Sequence, residues 1–114
     1  MEKTLTKHLR TAERILVFTG AGISTPSGIP AFRGTGGIWT TRQPVYYQDF
    51  MASEESRIEY WQYKLDLWEE HGDAKPNVIH ESIVALEQAG KVAMVVTQNV
   101  DGLHRAAGTS EELL

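Results

Sequence analysis

The chain has 114 residues, of which 41% are hydrophobic and 23% charged, and it contains no cysteine. This composition is typical of a folded globular domain, and it excludes disulfides, thiolate zinc sites and a cysteine nucleophile within the chain. The 15 acidic and 11 basic side chains give a net charge of −4, which argues against nucleic-acid binding through a broad basic face. We find no apolar run of roughly 20 residues and no signal-peptide core, and therefore expect a cytoplasmic protein without membrane contact.

The first part of the chain predicts a helix, a strand and a long loop. Apolar residues at helical spacing indicate a helix over residues 2–13, and the unbroken run 15–18 indicates a strand buried on both faces. The segment 20–39 is rich in Gly, Ser, Thr and Pro, and contains six of the ten glycines. A loop of this length is usually functional, and we expect it to hold at most a turn or two of helix.

The second part predicts a helical module followed by helix, strand and helix. Ser53 is suited to begin a helix that ends at His71, with an apolar face made of Ile58, Trp61, Leu65 and Trp68. We expect Trp61, Tyr63 and Trp68 to pack in the core of this module. Asn77 begins the next helix, whose apolar face is Ile79, Ile83 and Leu86 and which ends at Gly90; residues 92–96 form a second buried strand, and residues 101–107 a short helix.

Strands that alternate with helices predict an α/β fold with a parallel sheet. We interpret residues 1–114 as an incomplete, Rossmann-like nucleotide-binding domain with helices on both faces of the sheet. The segment at about 24–45 is its cofactor loop, and the segment at about 46–74 is a small helical insertion.

The glycines after the first strand stand where open parallel sheets bind ligands, at a strand's carboxyl end. Gly20 and Gly22 would let the backbone approach a pyrophosphate, with the Ser24 or Thr25 hydroxyl as a further donor. The pattern is incomplete, because Thr25 occupies the place of the third glycine of a dinucleotide-binding motif. A tight turn without a ligand is an equal alternative from these residues alone.

Polar side chains also follow the second strand. Gln98, Asn99 and Asp101 offer the donors and acceptors that suit ribose hydroxyls or a carboxamide. Asp101 could equally cap the following helix, and Asn99 could be a turn residue. Their position at the same sheet edge as the glycines favours a joint binding site.

Five motifs in order and register resemble the sirtuins, which are NAD-dependent protein-lysine deacylases. They are Gly20-Ala21-Gly22-Ile23-Ser24, Ser27 to Gly34, Gly37-Ile38-Trp39, Lys75-Pro76-Asn77 with His80, and Thr97-Gln98-Asn99-Val100-Asp101 with Leu103-His104. The resemblance extends from about Leu9 to Leu114. It implies NAD as cofactor and an acetylated lysine of a protein or peptide as substrate. The sequence lacks the Tyr-x-x-Arg pattern of sirtuins that prefer acidic acyl groups.

The resemblance implies a role for each matching residue. Cofactor binding falls to Gly20, Ala21, Gly22, Ile23, Ser24, Ala31, Phe32, Arg33, Trp39, Gln98, Asn99, Asp101 and His104. Asn99 and Asp101 are also the expected catalytic residues, at the reaction centre and at the nicotinamide carboxamide. Ala31 stands where the family usually has Asp, which we expect to affect the rate modestly.

Two elements of the family are absent from the sequence. The Leu-His-Gly element that carries the general base does not occur, and the four zinc-binding cysteines are missing, so zinc is expected only in a longer parent protein. We therefore expect residues 1–114 to be the N-terminal part of a deacetylase and to be inactive alone. The alternatives are a sirtuin-like NAD hydrolase or ADP-ribosyltransferase, and an inactive NAD-binding fragment.

Overall fold

The structure is a computed structural model that describes residues 2–31, 37 and 42–114. It contains the helices α1 (Glu2–Thr11), α2 (Tyr47–Ala52), α3 (Glu54–His71), α4 (Val78–Gln88) and α5 (Leu103–Ala107), the strands β1 (Ile15–Thr19) and β2 (Val92–Thr97), and a 3₁₀ helix over Ala21–Ser27. The order matches the predicted one; α2 and α3 occupy the segment predicted to be a helical insertion, and we refer to them by that name. Among the described residues, no helix is both long and apolar enough to cross a membrane.

The two strands form a parallel sheet, which confirms the predicted α/β class. Their register pairs Leu16 with Met94 and Thr19 with Thr97. Parallel strands need a long crossover connection, and here it carries α2, α3 and α4. Both strands therefore end at the same edge, where the 3₁₀ helix and the turn before α5 begin.

The core lies between one face of this sheet and α4. Val95 is 2% exposed and packs with the buried Ile83 and Val92. Val17 of β1 and Leu86 of α4 complete this layer from the two sides. Burial of these branched side chains removes apolar surface from water and fixes α4 against the strands that carry the site.

The opposite face of the sheet corrects the prediction that both strands are buried on two faces. Leu16 and Phe18 are each 64% exposed, and Met94 on the paired strand is 52% exposed. Successive side chains of a strand point to opposite faces, so one packed layer buries only every second residue. The described part of the chain leaves this second face open to solvent.

The helical insertion brings a second correction. Ile58, Trp61, Leu65 and Trp68, which we call the apolar stripe of α3, are all exposed; Trp61 and Trp68 do not pack in a core among the described residues. Tyr63 is buried as expected, with the Arg42 guanidinium 5.6 Å from its ring centroid. The spacing of apolar residues identifies one face of a helix, but it does not determine whether another element covers that face.

Candidate functional site

The turns that follow the two strands are joined by hydrogen bonds across the sheet edge. The Asn99 side chain donates from Nδ2 to the carbonyl oxygen of Gly20 at 2.9 Å. The backbone N–H of Gln98 donates to the carbonyl oxygen of Thr19 at 3.1 Å. A Cβ atom at Gly20 would lie 3.5 Å from the Gln98 side chain. The glycine turn and the polar turn after β2, predicted separately from the sequence, thus form one structure.

Ser24 and Asp101 make the second connection between these turns. Ser24 is 1% exposed, and its hydroxyl donates to Asp101 Oδ2 at 2.5 Å. The other carboxylate oxygen accepts from the Leu103 amide at 3.0 Å, at the start of α5. The N-cap of α5 is Gly102, so Asp101 is not the cap that the sequence left open. Its carboxylate lies one residue before the cap, accepts from the first backbone amide of α5 and also holds the 3₁₀ helix.

Asn77 connects a third element, the start of α4, to the glycine segment. Its Nδ2 donates to the Ile23 carbonyl at 2.8 Å and to Ser27 Oγ at 2.9 Å, while its Oδ1 accepts from the Ile79 amide as a helix cap. The sequence indicated only that Asn77 begins a helix; its place in the Lys75-Pro76-Asn77 motif was the signal for a wider role. We call Thr19, Ser24, Asn77, Thr97, Asn99 and Asp101 the strand-end cluster.

A cavity of about 400 Å³ opens beside this cluster. Ala21, Ser24, Gln98, Asn99 and Asp101 line one side, and Lys64, Leu67, Trp68 and His71 of α3 line the other. Ligand pockets of small molecules typically have this size. His71 was expected only at a helix end; it ends α3 and also lines this cavity. Gly22 leaves open space where a side chain would project, so a ligand can approach its backbone closely.

Two histidines lie beneath the strand-end cluster. His80 is 0% and His104 is 2% exposed, and their ring centroids are 5.2 Å apart. Burial lowers the pKa of both side chains, and His80 lowers that of His104 further, while Asp101 acts in the opposite direction on each. Both rings are therefore neutral at pH 7. The His104 ring contacts Thr19 at 2.8 Å, which favours an indirect role in cofactor binding.

The structure brings most of the predicted site residues together. Ala21, Ser24, Gln98, Asn99 and Asp101 line the cavity. Gly20 and Gly22 lie in the same turn as Ala21, the Ile23 side chain packs against the core, and Ala31 is half-buried at the end of the described loop segment. The expected cofactor contacts Phe32, Arg33 and Trp39 lie outside the described residues.

Comparison with known proteins identifies the family to which the chain belongs. A model of the Sir2 family matches residues 20–114. The chain belongs to the Sir2 family. NAD-dependent protein deacetylase 1 of Bradyrhizobium diazoefficiens is 46% identical over 101 residues, which are 89% of this chain and 40% of the relative. NAD-dependent protein deacetylase 1 of Streptomyces coelicolor is 50% identical over 95 residues, 83% of this chain and 32% of the relative.

Solved Sir2 structures share the fold of this Sir2-family chain. A Sir2 enzyme solved to explain the mechanism and regulation of Sir2 enzymes superimposes with a TM-score of 0.81 at 37% identity, over 96% of this chain and 44% of the other. A Sir2 homologue in complex with NAD gives a TM-score of 0.73 at 33% identity, over 96% and 43%. The chain thus spans less than half the length of these relatives.

Proposed function

We propose that residues 1–114 are the N-terminal, NAD-binding portion of an NAD-dependent protein-lysine deacetylase. The observation that carries this proposal is the hydrogen bond from buried Ser24 to Asp101 at the rim of the cavity. It joins the glycine turn to the polar turn, so that both can contact one extended ligand. In this proposal the cofactor loop comprises about residues 24–45, and the helical insertion about 46–74.

The chemistry of the cavity fits NAD. The open space at Gly22 suits a pyrophosphate, since backbone amides can approach phosphate oxygens there. Gln98, Asn99 and Asp101 line the cavity beside this turn and supply acceptors and donors for a ribose and for the nicotinamide carboxamide. The Asp101 carboxylate would also attract the cationic nicotinamide ring.

When bound, NAD supplies the ribose carbon at which the acyl oxygen of the substrate displaces nicotinamide. The residues of this chain orient the reactants and limit the access of water, both of which lower the barrier. Asn99 is held at Gly20 and Asp101 at Ser24, so neither side chain has to be ordered at the moment of reaction. We propose both as the catalytic residues of this portion.

An acetylated lysine of a protein or peptide is the proposed substrate. The matched relatives are named protein deacetylases, and one solved Sir2 relative, with a TM-score of 0.80 at 37% identity, is in complex with a deacetylated p53 peptide and 3'-O-acetyl ADP ribose. The general base and a zinc ribbon would come from the parts of a full-length protein beyond this portion.

Binding can be tested by titrating the ¹⁵N-labelled chain with NAD, which carries the nicotinamide that Asp101 is proposed to contact. We expect shifts of the amide signals of Gly20 to Ser24, Asn99 and Asp101, and a loss of affinity of about tenfold in Asp101→Asn, because a charged hydrogen-bond acceptor is removed. Asp49→Asn, an exposed carboxylate on α2, is the matched control and should bind like the wild type. Equal affinity in both variants would contradict the proposed site.

The reaction is tested on the full-length protein that contains this chain, with NAD and an acetyl-lysine peptide. O-acetyl-ADP-ribose formed only with the peptide supports the deacetylase. Free ADP-ribose formed without any peptide would instead identify an NAD hydrolase that uses the same binding site.

A further inference from the structure

The buried histidines His80 and His104 carry an inference beyond the proposed function, which concerns how the site is held in shape. Among the described residues, His80 Nε2 and His104 Nδ1 are buried nitrogens without a hydrogen-bond partner. Buried polar atoms are nearly always paired, so two of them in neighbouring rings require an explanation.

The other nitrogen of each ring determines its tautomer. His80 Nδ1 accepts from the backbone N–H of Asn77 at 3.1 Å, so the ring proton of neutral His80 must be on Nε2. Thr19 donates its hydroxyl proton to Thr97 Oγ1 at 2.8 Å and therefore accepts from His104 Nε2, also at 2.8 Å. His104 then has no proton on Nδ1. The two unpaired nitrogens are thus one donor and one acceptor.

The spacing of the rings matches a bond between these atoms. Two imidazole rings joined end to end by one N–H···N hydrogen bond of about 2.9 Å have centroids separated by roughly the observed distance of 5.2 Å. The rings are inclined at 73°, which such a bond permits, because its axis lies in the plane of each ring.

We propose that His80 Nε2–H donates to His104 Nδ1, and that the two histidines are positioning residues of the cofactor site. This bond completes a chain of hydrogen bonds from Asn77 through His80, His104, Thr19 and Thr97 to the backbone amide of Asn99, which donates to Thr97 Oγ1 at 3.1 Å. One end of the chain holds the glycine segment through Asn77, and the other holds the turn that carries Asn99.

The structural part of the proposal is tested by NMR on the ¹⁵N-histidine-labelled chain at pH 7. We expect the Nε2–H tautomer for both rings and a scalar coupling across the hydrogen bond between His80 Nε2 and His104 Nδ1. An Nδ1–H tautomer of His104, or no coupling, would overturn the proposal. This readout does not depend on NAD.

The functional part rests on the proposed function and uses two variants that remove the same bond from opposite sides. His80→Asn keeps an acceptor near the Asn77 amide but lacks the distal N–H; His104→Gln keeps a donor for Thr19 but lacks the Nδ1 acceptor. Each should weaken ADP-ribose binding about fivefold to tenfold and speed hydrogen exchange of the Asn99 amide. The double variant should do no more than either single one, because both delete one interaction.

Ser82→Ala is the control, since Ser82 is exposed on the same helix as His80 and its hydroxyl donates to the Val78 carbonyl of that helix. It should leave binding, exchange and tautomers unchanged. Additive losses in the double variant would show two independent packing roles and refute the coupling. If the wild type fails to bind ADP-ribose while the coupling across the two rings is present, the proposed function fails and the histidine bond stands.

Discussion

Polar side chains in and below the strand-end cluster are buried, whereas large apolar side chains of the helical insertion are exposed. In the cluster, the hydroxyl of Ser24 is almost fully buried, as are the rings of His80 and His104 below it. In the insertion, Trp61 and Trp68 are 60% and 71% exposed. Burial in this chain therefore follows the partners that a residue finds across the fold, and hydrophobicity alone does not predict it.

Tyr63 and Trp61 give the largest expected contrast, within the insertion itself. Tyr63→Ala removes a buried ring and should lower the free energy of unfolding by about 3 kcal/mol. Trp61→Ala removes a larger ring that is exposed and should change it by less than about 0.5 kcal/mol. Urea denaturation of the two variants measures both values. A large loss in Trp61→Ala would show that the apolar stripe is covered in solution.

Removal of the two helix caps, Asn77 and Ser53, allows a direct comparison of the cluster with the insertion by the loss of stability that each causes. Ser53 accepts from the Ser56 amide and caps α3, so Ser53→Ala should cost about 1 kcal/mol. Asn77→Ala removes a cap and also the donor to the Ile23 carbonyl and Ser27, and should cost about 2 kcal/mol. The midpoints of urea unfolding give the ratio. Equal costs would mean that Asn77 acts only as a cap.

Acidification is expected to have the smallest effect, a gradual loss of stability that originates in the two histidines beneath the cluster. Burial lowers the pKa of His80 and His104 below the ordinary value of about 6.5, with Asp101 as the charged group that opposes this. The unfolded chain then binds more protons than the folded one, so stability is complete above about pH 6.5 and falls as the pH decreases below it. Melting temperatures between pH 7.5 and 5 measure the trend.

The His80→Asn/His104→Gln variant is the control for this pH dependence. It should lose the part of the slope that arises between pH 6.5 and 5, because neither buried imidazole remains to be protonated. An unchanged slope would assign the pH dependence to other groups.

The element order and the strand ends could be predicted from the sequence, because they depend on local spacing. Ile15 to Phe18 and Val92 to Val96 are unbroken apolar runs, and polar or glycine residues follow each at once. Asn99 and Asp101 were identified in the same way, by their place after the second strand, and Ser24 was one of two candidate hydroxyls, with Thr25, in the loop after the first. Their membership in five ordered motifs identified the family, which the comparison confirmed.

The connections among these residues could not be predicted. Asn77 is 50 residues from Ser27 and His104 is 85 from Thr19, and nothing local in either segment indicates its partner. The exposure of Phe18 and Trp61 was likewise out of reach, since the apolar pattern of an element shows which face is suited to packing but not what packs there.

The sequence by itself thus determined the class of fold, the family and the types of side chain at the site, because these depend on periodicity, composition and short motifs. Only the tertiary structure decided which of these side chains are joined, which faces are covered and which polar side chains are buried. The reason is physical: parallel pairing of β1 with β2 brings distant turns to one edge, and a hydrogen bond exists only where both partners arrive.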